Sequence, residues 1–197
     1  MGIEVEFKLT LRERQTELIP SDPLILALAD GAWQKTCMKS IYYDTPDRRF
    51  SELHWTIRRR LEGTRSVICV KTPMSDPHAR NEWEAEAPEL SRATVRYLTE
   101  CGAPSALLDA PELIPICGAE FLRRHVVLRF LDGSRAELAV DTGFLRGETE
   151  KQPFSELELE LLEGAPTETA QLAQTLCERY GLVKEPRSKF ARANMLK

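Results

Sequence analysis

The chain opens on Gly2-Ile3-Glu4-Val5-Glu6-Phe7-Lys8-Leu9, a stretch in which apolar and charged residues alternate strictly. A period of two is typical of a β-strand, because successive side chains of a strand point to opposite faces. The stretch therefore predicts a strand with Glu4, Glu6 and Lys8 on one face. Side chains two residues apart lie roughly 6.5–7 Å from one another, which suits two acids that hold one divalent ion beside a lysine that binds an anion. A strand with a solvated charged face is the simpler alternative.

Similar alternating stretches recur along the chain, with short turns such as Glu62-Gly63-Thr64 and Asp132-Gly133 between them. Strands are predicted at residues 2–9, 33–44, 55–61, 65–71, 80–87, 121–131, 134–141 and 154–162, with a further short one at 144–150. Helices are predicted at residues 11–15, 24–29, 88–97 and 167–180. Short connections favour antiparallel pairing, and eight tilted strands can close into a barrel. We therefore expect one domain over residues 1–197, of the α+β class but mainly β.

Composition excludes several classes of function. The 197 residues suffice for a domain with its own core, and they contain no run of about 18 apolar residues that could span a membrane. The five cysteines form no CxxC pair and the three histidines are far apart, which argues against a zinc site and fits a reducing cytoplasm. A formal net charge of -4 argues against a nucleic-acid binder. An anion site would have to concentrate its positive charge locally.

Charge is segregated by sign from one predicted strand to the next. The acidic rows are Glu4 and Glu6, then Glu82, Glu84 and Glu86, then Glu156, Glu158 and Glu160, whereas the basic positions are Arg58, Arg60 and Lys71. The charged faces could meet water around an apolar core, or they could line the bore of a barrel whose apolar outside is covered by helices or a partner subunit. Periodicity does not decide between these architectures. The segregation favours the second, because like charges in a row repel one another and an ordinary surface mixes signs.

A lumen with acidic and basic sub-sites would suit phosphate chemistry. Mg²⁺ takes oxygen ligands and binds through a few carboxylates together with substrate phosphates. Arginine forks onto phosphate oxygens, whereas lysine acts as a point charge. Such an arrangement is what phosphoryl transfer requires, because position and charge stabilise its transition state.

The ordered motifs resemble those of the CYTH family, also called triphosphate tunnel metalloenzymes. Glu4-x-Glu6-x-Lys8 is similar to the family signature ExExK, and the likeness continues in order along essentially the whole chain. The other matching motifs are IYYDTPD at 41–47, IRRR at 57–60, Lys71, RNEWE at 80–84, Arg123, ELAVDTG at 137–143, SELELEL at 155–161 and SKFAR at 188–192. The likeness is greatest to the N-terminal domain of bacterial CYTH–CHAD inorganic triphosphatases.

The resemblance implies an eight-stranded antiparallel closed β-barrel, a tunnel with a charged lumen and flanking helices, which binds triphosphate with Mg²⁺ or Mn²⁺. The implied metal ligands are Glu4, Glu6, Glu158 and Glu160. The implied substrate-binding residues are Lys8, Arg58, Arg60, Lys71, Arg123 and Lys189. The implied catalytic residues are Lys8, Arg58, Arg60, Glu82 and Asp141. Whether Glu84, Glu156 and Arg192 belong to the site stays open.

The activity that the resemblance implies is metal-dependent release of the terminal phosphate of inorganic triphosphate. Class IV type adenylate cyclase, thiamine triphosphatase and a non-catalytic polyphosphate- or nucleotide-binding module are the alternatives. A thiamine site would require an aromatic platform, which Trp33, Trp55 or Trp83 could supply. The expected partner is a small-molecule triphosphate, with no nucleic acid or membrane. Apolar strand faces could form a homodimer, and the CHAD domain fused to such relatives is absent from this chain.

Overall fold

The computed structural model describes residues 2–197, so Met1, the first residue of the predicted domain, lies outside the described residues. Eight strands form one antiparallel sheet. They are β1 (Gly2–Thr10), β2 (Gln34–Asp44), β3 (Thr56–Glu62), β4 (Arg65–Pro73), β5 (Ala79–Glu86), β6 (Ile114–Arg129), β7 (Arg135–Arg146) and β8 (Lys151–Glu163). Their order is β5-β4-β3-β2-β6-β7-β8-β1, and β1 also pairs with β5. The sheet therefore closes into the predicted eight-stranded barrel.

Helices flank the barrel. They are α1 (Glu13–Leu18), α2 (Pro23–Leu28), α3 (Arg49–Glu52), α4 (Arg92–Glu100), α5 (Thr167–Tyr180) and α6 (Lys189–Ala193). A two-residue strand, β9 (Val183–Lys184), pairs with the second half of β1. None of these helices is long and apolar enough to cross a membrane.

The apolar faces of the strands point outward, under the helices. Leu172 and Leu176 of α5 belong to one buried cluster with Leu157 and Leu159 of β8. On the other side, α4 and the segment that follows it cover β3, β4 and β5 in a second cluster. Each cluster removes apolar side chains from water, at about 1.5–3 kcal/mol for a fully buried leucine. The charged faces consequently line the interior, as the segregation of sign predicted.

A third apolar cluster lies inside one end of the barrel. Phe190 and Ala193 of α6 pack there among Met38, Tyr42 and Phe154. Ser188 caps α6 by accepting a hydrogen bond at 3.0 Å from the Ala191 amide. The short C-terminal helix thus closes much of this end of the lumen.

Several segments differ from the sequence-based prediction: β6 begins at Ile114 rather than at residue 121, and β9 and α6 were not predicted. Residues 144–150 are not a separate strand, because β7 runs without a break through Gly143 to Arg146. A Cβ at Gly143 would lie 2.2 Å from the Glu120 carbonyl oxygen, so the glycine permits a close crossing rather than a turn. The helix α3 was also not predicted. Its start is fixed by the buried Asp44 carboxylate, which accepts the Phe50 amide at 2.9 Å.

Candidate active site

The barrel interior contains two adjoining cavities that share Arg58, Arg60 and Lys71. The inner chamber, of about 60 Å³, reaches Lys189 on α6. The mouth, of about 380 Å³, opens at the opposite end beside Glu137. Every predicted site residue except Asp141 lines one or both cavities: Glu4, Glu6, Lys8, Arg58, Arg60, Lys71, Glu82, Arg123, Glu158, Glu160 and Lys189.

The arginines of β3 form a basic wall with weak internal pairing. The closest ion-pair contact of Arg58 is 4.0 Å, to Glu84, and that of Arg60 is 4.0 Å, to Glu62. Arg60 donates its Nε–H to Ser40 Oγ at 3.2 Å, whereas the buried Arg58 Nε finds no hydrogen-bond partner in the part of the chain that the structure describes. Burial, and after it the charges of Arg58 and Arg123, lower the pKa of Arg60. An anion between Arg58 and Arg60 could therefore accept hydrogen bonds from guanidinium N–H groups that are not already bonded to a carboxylate.

Acids from β1 and β8 face this wall. Glu6 lies opposite Glu160 in the antiparallel ladder. Burial, and after it the charge of Glu4, raise the pKa of Glu160 to about 8. Glu4 pairs with Lys71 through one oxygen, while its other oxygen, Oε2, is buried and has no hydrogen-bond partner among residues 2–197. Negative charge is crowded here beyond what the adjacent lysines compensate.

These acids fit a hard divalent ion. Their metal-binding atoms would be carboxylate oxygens, the ligand type that Mg²⁺ and Mn²⁺ prefer, and within the described residues Glu4 Oε2 is engaged in no hydrogen bond. The four predicted ligands do not form one close group. Within residues 2–197 the groups close enough to share an ion are Cys69–Glu82–Glu84 and Asp141–Glu156–Glu158, and only Glu158 of the predicted ligands belongs to either. Lys8 contacts Glu6 at 2.5 Å and Lys71 contacts Glu4 instead.

A buried ionic cluster joins α6 to β7 and β8. Lys189 Nζ lies 2.7 Å from Asp141 and 2.8 Å from Glu158, and it also contacts Glu156. Arg123 forks onto Asp141 at 2.8 and 2.9 Å. Burial opposes ionisation of Glu158, but the charges of Lys189 and Arg123 lower its pKa well below the usual value.

Asp141 and Glu156 are fully buried in this cluster. Asp141 therefore lies behind Arg123 and Lys189 and orients them, rather than facing the lumen as an acid. Glu156 and Arg192, whose membership the sequence left open, contact each other and fasten α6 to β8.

Two residues that face the lumen were not among the predicted site residues, His125 and Glu137, although Glu137 begins the matching motif ELAVDTG. His125 Nδ1 lies 2.9 Å from Glu137 Oε2, and Glu137 also accepts Arg123 at 3.3 Å. Both line the mouth. The period-two pattern carried the signal, because His125 follows Arg123 by two residues and shares its face.

The aromatic ring that faces the cations of the lumen belongs to Phe121 and not to one of the three tryptophans. The Phe121 ring faces three cations, with Lys189 Nζ at 4.8 Å, Arg60 Cζ at 5.8 Å and Arg123 Cζ at 5.9 Å from its centroid. The three tryptophans pack in the outer apolar clusters instead, so none of them forms a platform in the lumen: Trp33, Trp55 and Trp83.

Comparison with known proteins places this chain in a family. The model of the CYTH domain matches residues 2–193. The chain belongs to the CYTH family. This confirms the resemblance carried by the ordered motifs.

Individual CYTH relatives agree with this assignment. An inorganic triphosphatase from Haemophilus influenzae is 28% identical over 171 residues, which are 83% of this chain and 47% of that protein. The chain therefore spans about half the length of that relative.

Solved structures share the fold at low identity. A putative adenylyl cyclase from Hippeastrum, for which a dominant triphosphatase activity is described, superposes with a TM-score of 0.64 at 18% identity, covering 100% of this chain and 98% of that one. A putative adenylate cyclase from Bacillus halodurans has a TM-score of 0.60 at 16% identity, covering 95% of this chain and 96% of that one.

Proposed function

We propose that this CYTH domain is a divalent-metal-dependent hydrolase that releases the terminal phosphate of inorganic triphosphate inside the barrel. The observation that carries the proposal is the pair of arginines, the buried Arg58 and the half-buried Arg60, whose closest carboxylates lie 4.0 Å away. They lie opposite acids that include a Glu4 oxygen with no hydrogen-bond partner among residues 2–197. The names of the Haemophilus and Hippeastrum proteins support the same reaction class.

The basic residues would bind and orient the phosphate chain. Arg58 and Arg60 offer guanidinium N–H groups that can fork onto phosphate oxygens. Arg123 is held in place by Asp141, so its position is fixed before substrate arrives. Bonds to a charged group are worth about 1.5–3 kcal/mol each, and a pre-oriented set loses little free energy on reorganisation.

The acidic residues would hold the metal and the nucleophilic water. We assign Mg²⁺ or Mn²⁺ to Glu4, Glu6, Glu158 and Glu160, where the ion would supply charge neutralisation and water activation. Lys71, at 3.1 Å, holds Glu82, whose pKa is lowered by that lysine against the effect of burial. An ionised Glu82 can accept a hydrogen bond from water and receive its proton.

The bond changes follow in-line hydrolysis. A water oxygen forms a bond to the terminal phosphorus, and the bond from that phosphorus to the bridging oxygen breaks. Diphosphate leaves with the electron pair, and charge that develops on the leaving oxygen meets the cationic wall.

A substrate panel tests the proposal. Purified protein with Mg²⁺ or Mn²⁺ should release phosphate from inorganic triphosphate faster than from ATP, thiamine triphosphate or long-chain polyphosphate. Formation of cyclic AMP at an equal or greater rate would replace the proposal with the cyclase. Binding of triphosphate without phosphate release under either metal would leave a non-catalytic module.

The proposal also includes a cytoplasmic location and a homodimer. The five cysteines are all free thiols, which suits a reducing compartment. Leu122 and Phe144 are exposed on the outer face of β6 and β7 and would form the contact between two copies. Light scattering at several protein concentrations gives the mass that tests this assembly.

A further inference from the structure

Arg123 keeps one N–H group that no described residue accepts. Its Nε–H and one Nη2–H donate to Asp141 at 2.9 and 2.8 Å, and Nη2 also contacts Glu158. Nη1 donates to Glu137 Oε1 at 3.3 Å. A guanidinium group has five N–H donors, so these four bonds leave a single N–H, on Nη1. The contact that Arg123 can offer to a phosphate therefore depends on where the Glu137 carboxylate lies.

The Glu137 carboxylate is held from its other side by His125. His125 Nδ1 donates to Glu137 Oε2 at 2.9 Å, because an ionised carboxylate can only accept hydrogen bonds. With the proton on Nδ1, the neutral ring has an acceptor at Nε2, which lies 3.4 Å from the Thr36 hydroxyl oxygen. A chain of hydrogen bonds therefore runs across β2, β6 and β7, from Thr36 through His125 and Glu137 to Arg123.

The register of the sheet builds this chain of contacts. Arg123 and His125 lie two residues apart on β6, so both side chains face the lumen. Ala139 lies directly opposite His125 in the ladder between β6 and β7. Its side chain is only a methyl group, which leaves room for the imidazole to reach Glu137, the diagonal neighbour on β7. Diagonal neighbours in a sheet are within reach of long and aromatic side chains.

The position of this carboxylate matters because the mouth is crowded with acids. Glu62, Glu84 and Glu137 all line it. The side chains of His125 and Glu137 are only 20% and 22% exposed, so their interactions are screened less than those of open surface groups. Without His125, Glu137 could place both of its oxygens on Arg123 Nη1. It would then occupy the last free N–H and present an uncompensated charge to an incoming phosphate.

We propose that His125 is a positioning residue that holds Glu137 away from the free N–H of Arg123 and so keeps this donor available to the phosphate chain. The inference rests on the proposed function, because it concerns substrate binding in the same lumen. His125 acts through Glu137 and forms no bond to the substrate itself.

Two single variants and their double variant test this role. His125→Leu should weaken binding of inorganic triphosphate about fivefold, the effect of one lost hydrogen bond. The KM should rise by a similar factor, with kcat changed less than about twofold. Glu137→Gln should change the affinity of the wild-type protein by less than about twofold, yet restore that of the His125→Leu variant, because a neutral amide cannot hold Arg123 as a carboxylate does.

Calorimetry with inorganic triphosphate in the absence of divalent metal measures these affinities without turnover. His125→Asn guards against a folding defect, because its amide can donate near the place of Nδ1. This variant should keep the affinity within about twofold of wild type. His78→Leu is the matched control, since His78 is exposed outside the barrel wall, and it should leave the affinity unchanged.

The pattern of the four affinities decides the inference. Wild-type affinity in His125→Leu would overturn it, and so would an equal gain from Glu137→Gln in both backgrounds, which would show a general effect of charge. Binding of triphosphate without phosphate release would overturn the hydrolase instead, and the affinities would still decide the role of His125. Absence of binding to the wild-type protein would overturn both.

Discussion

Two sets of cations face the same lumen and differ in their partners. Arg58 and Arg60 on β3 approach carboxylates only to 4.0 Å. Arg123 and Lys189 instead contact Asp141 at 2.8 and 2.7 Å and share Glu158. The difference indicates two uses of similar residues. The weakly paired arginines have donors free for a ligand, whereas Arg123 and Lys189 are held in fixed positions by their carboxylates, and Lys189 also fastens α6 to the barrel.

The largest expected effect is on stability and concerns the paired set. Lys189→Met removes a partner from three buried carboxylates, and breaking a buried ion pair costs about 3–5 kcal/mol. A protein of this size would lose about 10 °C in Tm. Arg60→Met is the control, because burial already disfavours its charge and it has no close carboxylate partner. If differential scanning fluorimetry found the same Tm loss in both variants, the distinction between tightly and weakly paired cations would be wrong.

The next effect concerns the acids opposite the weakly paired wall. Mg²⁺ at about 100 times its Kd should stabilise wild type by about 2.7 kcal/mol, or about 5–10 °C in Tm. Glu4→Gln and Glu6→Gln should lose this shift and the metal-dependent activity while remaining folded. Glu86→Gln, on an exposed carboxylate of β5 that pairs with Arg65 at 3.0 Å, should retain both. Unchanged Mg²⁺ shifts in the first two variants would refute the metal assignment.

A smaller effect sharpens the assignment of the arginines. Arg58→Ala and Arg60→Ala should each weaken triphosphate binding by about tenfold or more, because a bond to a charged group contributes about 1.5–3 kcal/mol. Arg59→Ala should leave affinity unchanged, since Arg59 faces outward and donates to Ser66 Oγ. Titration calorimetry that shows less than about a threefold loss for the first two would count against them.

The smallest effect tests whether Ser40 positions the Arg60 guanidinium, as distinct from the general effect of positive charge in the lumen. Ser40 Oγ accepts Arg60 Nε at 3.2 Å inside the barrel, and Ser66 Oγ accepts Arg59 Nε at 3.2 Å outside it. Ser40→Ala should raise the KM for triphosphate about fivefold with kcat less affected, since one hydrogen bond is worth about 0.5–1.5 kcal/mol. Ser66→Ala, which removes the same bond from the outer arginine, should leave KM unchanged. Equal KM values in the two variants would show that Ser40 does not position Arg60.

Much of this molecule could be predicted from the sequence because a strand encodes its two faces directly. The alternation in β1 and β8 assigned Glu6 and Glu158 to one face and Leu157 and Leu159 to the other. The order of motifs then identified the family. These features depend on local periodicity and on the chain order, which sequence carries without tertiary information.

The remainder depends on contacts between distant segments. Helix α6 has only five residues, too few to be stable alone, and its place inside the barrel is set by Lys189 and Phe190. Asp141 lies on the same face of β7 as Glu137, which lines the lumen, but the Arg123 side chain covers its carboxylate. The separate strand predicted at residues 144–150 was wrong, because Gly143 lets β7 run on in close contact with β6. Periodicity predicts which face of a strand a side chain occupies, but it does not predict which side chains from other segments pack against that face.

The pairing of β1 has a consequence for how the barrel folds. The strand that carries Glu4 and Glu6 pairs with β5, β8 and β9, whose residues extend to Lys184. Contacts this distant in sequence form slowly, so β1 is fixed in place only after segments far along the chain have reached it. The reactive centre would therefore assemble only when the barrel itself closes.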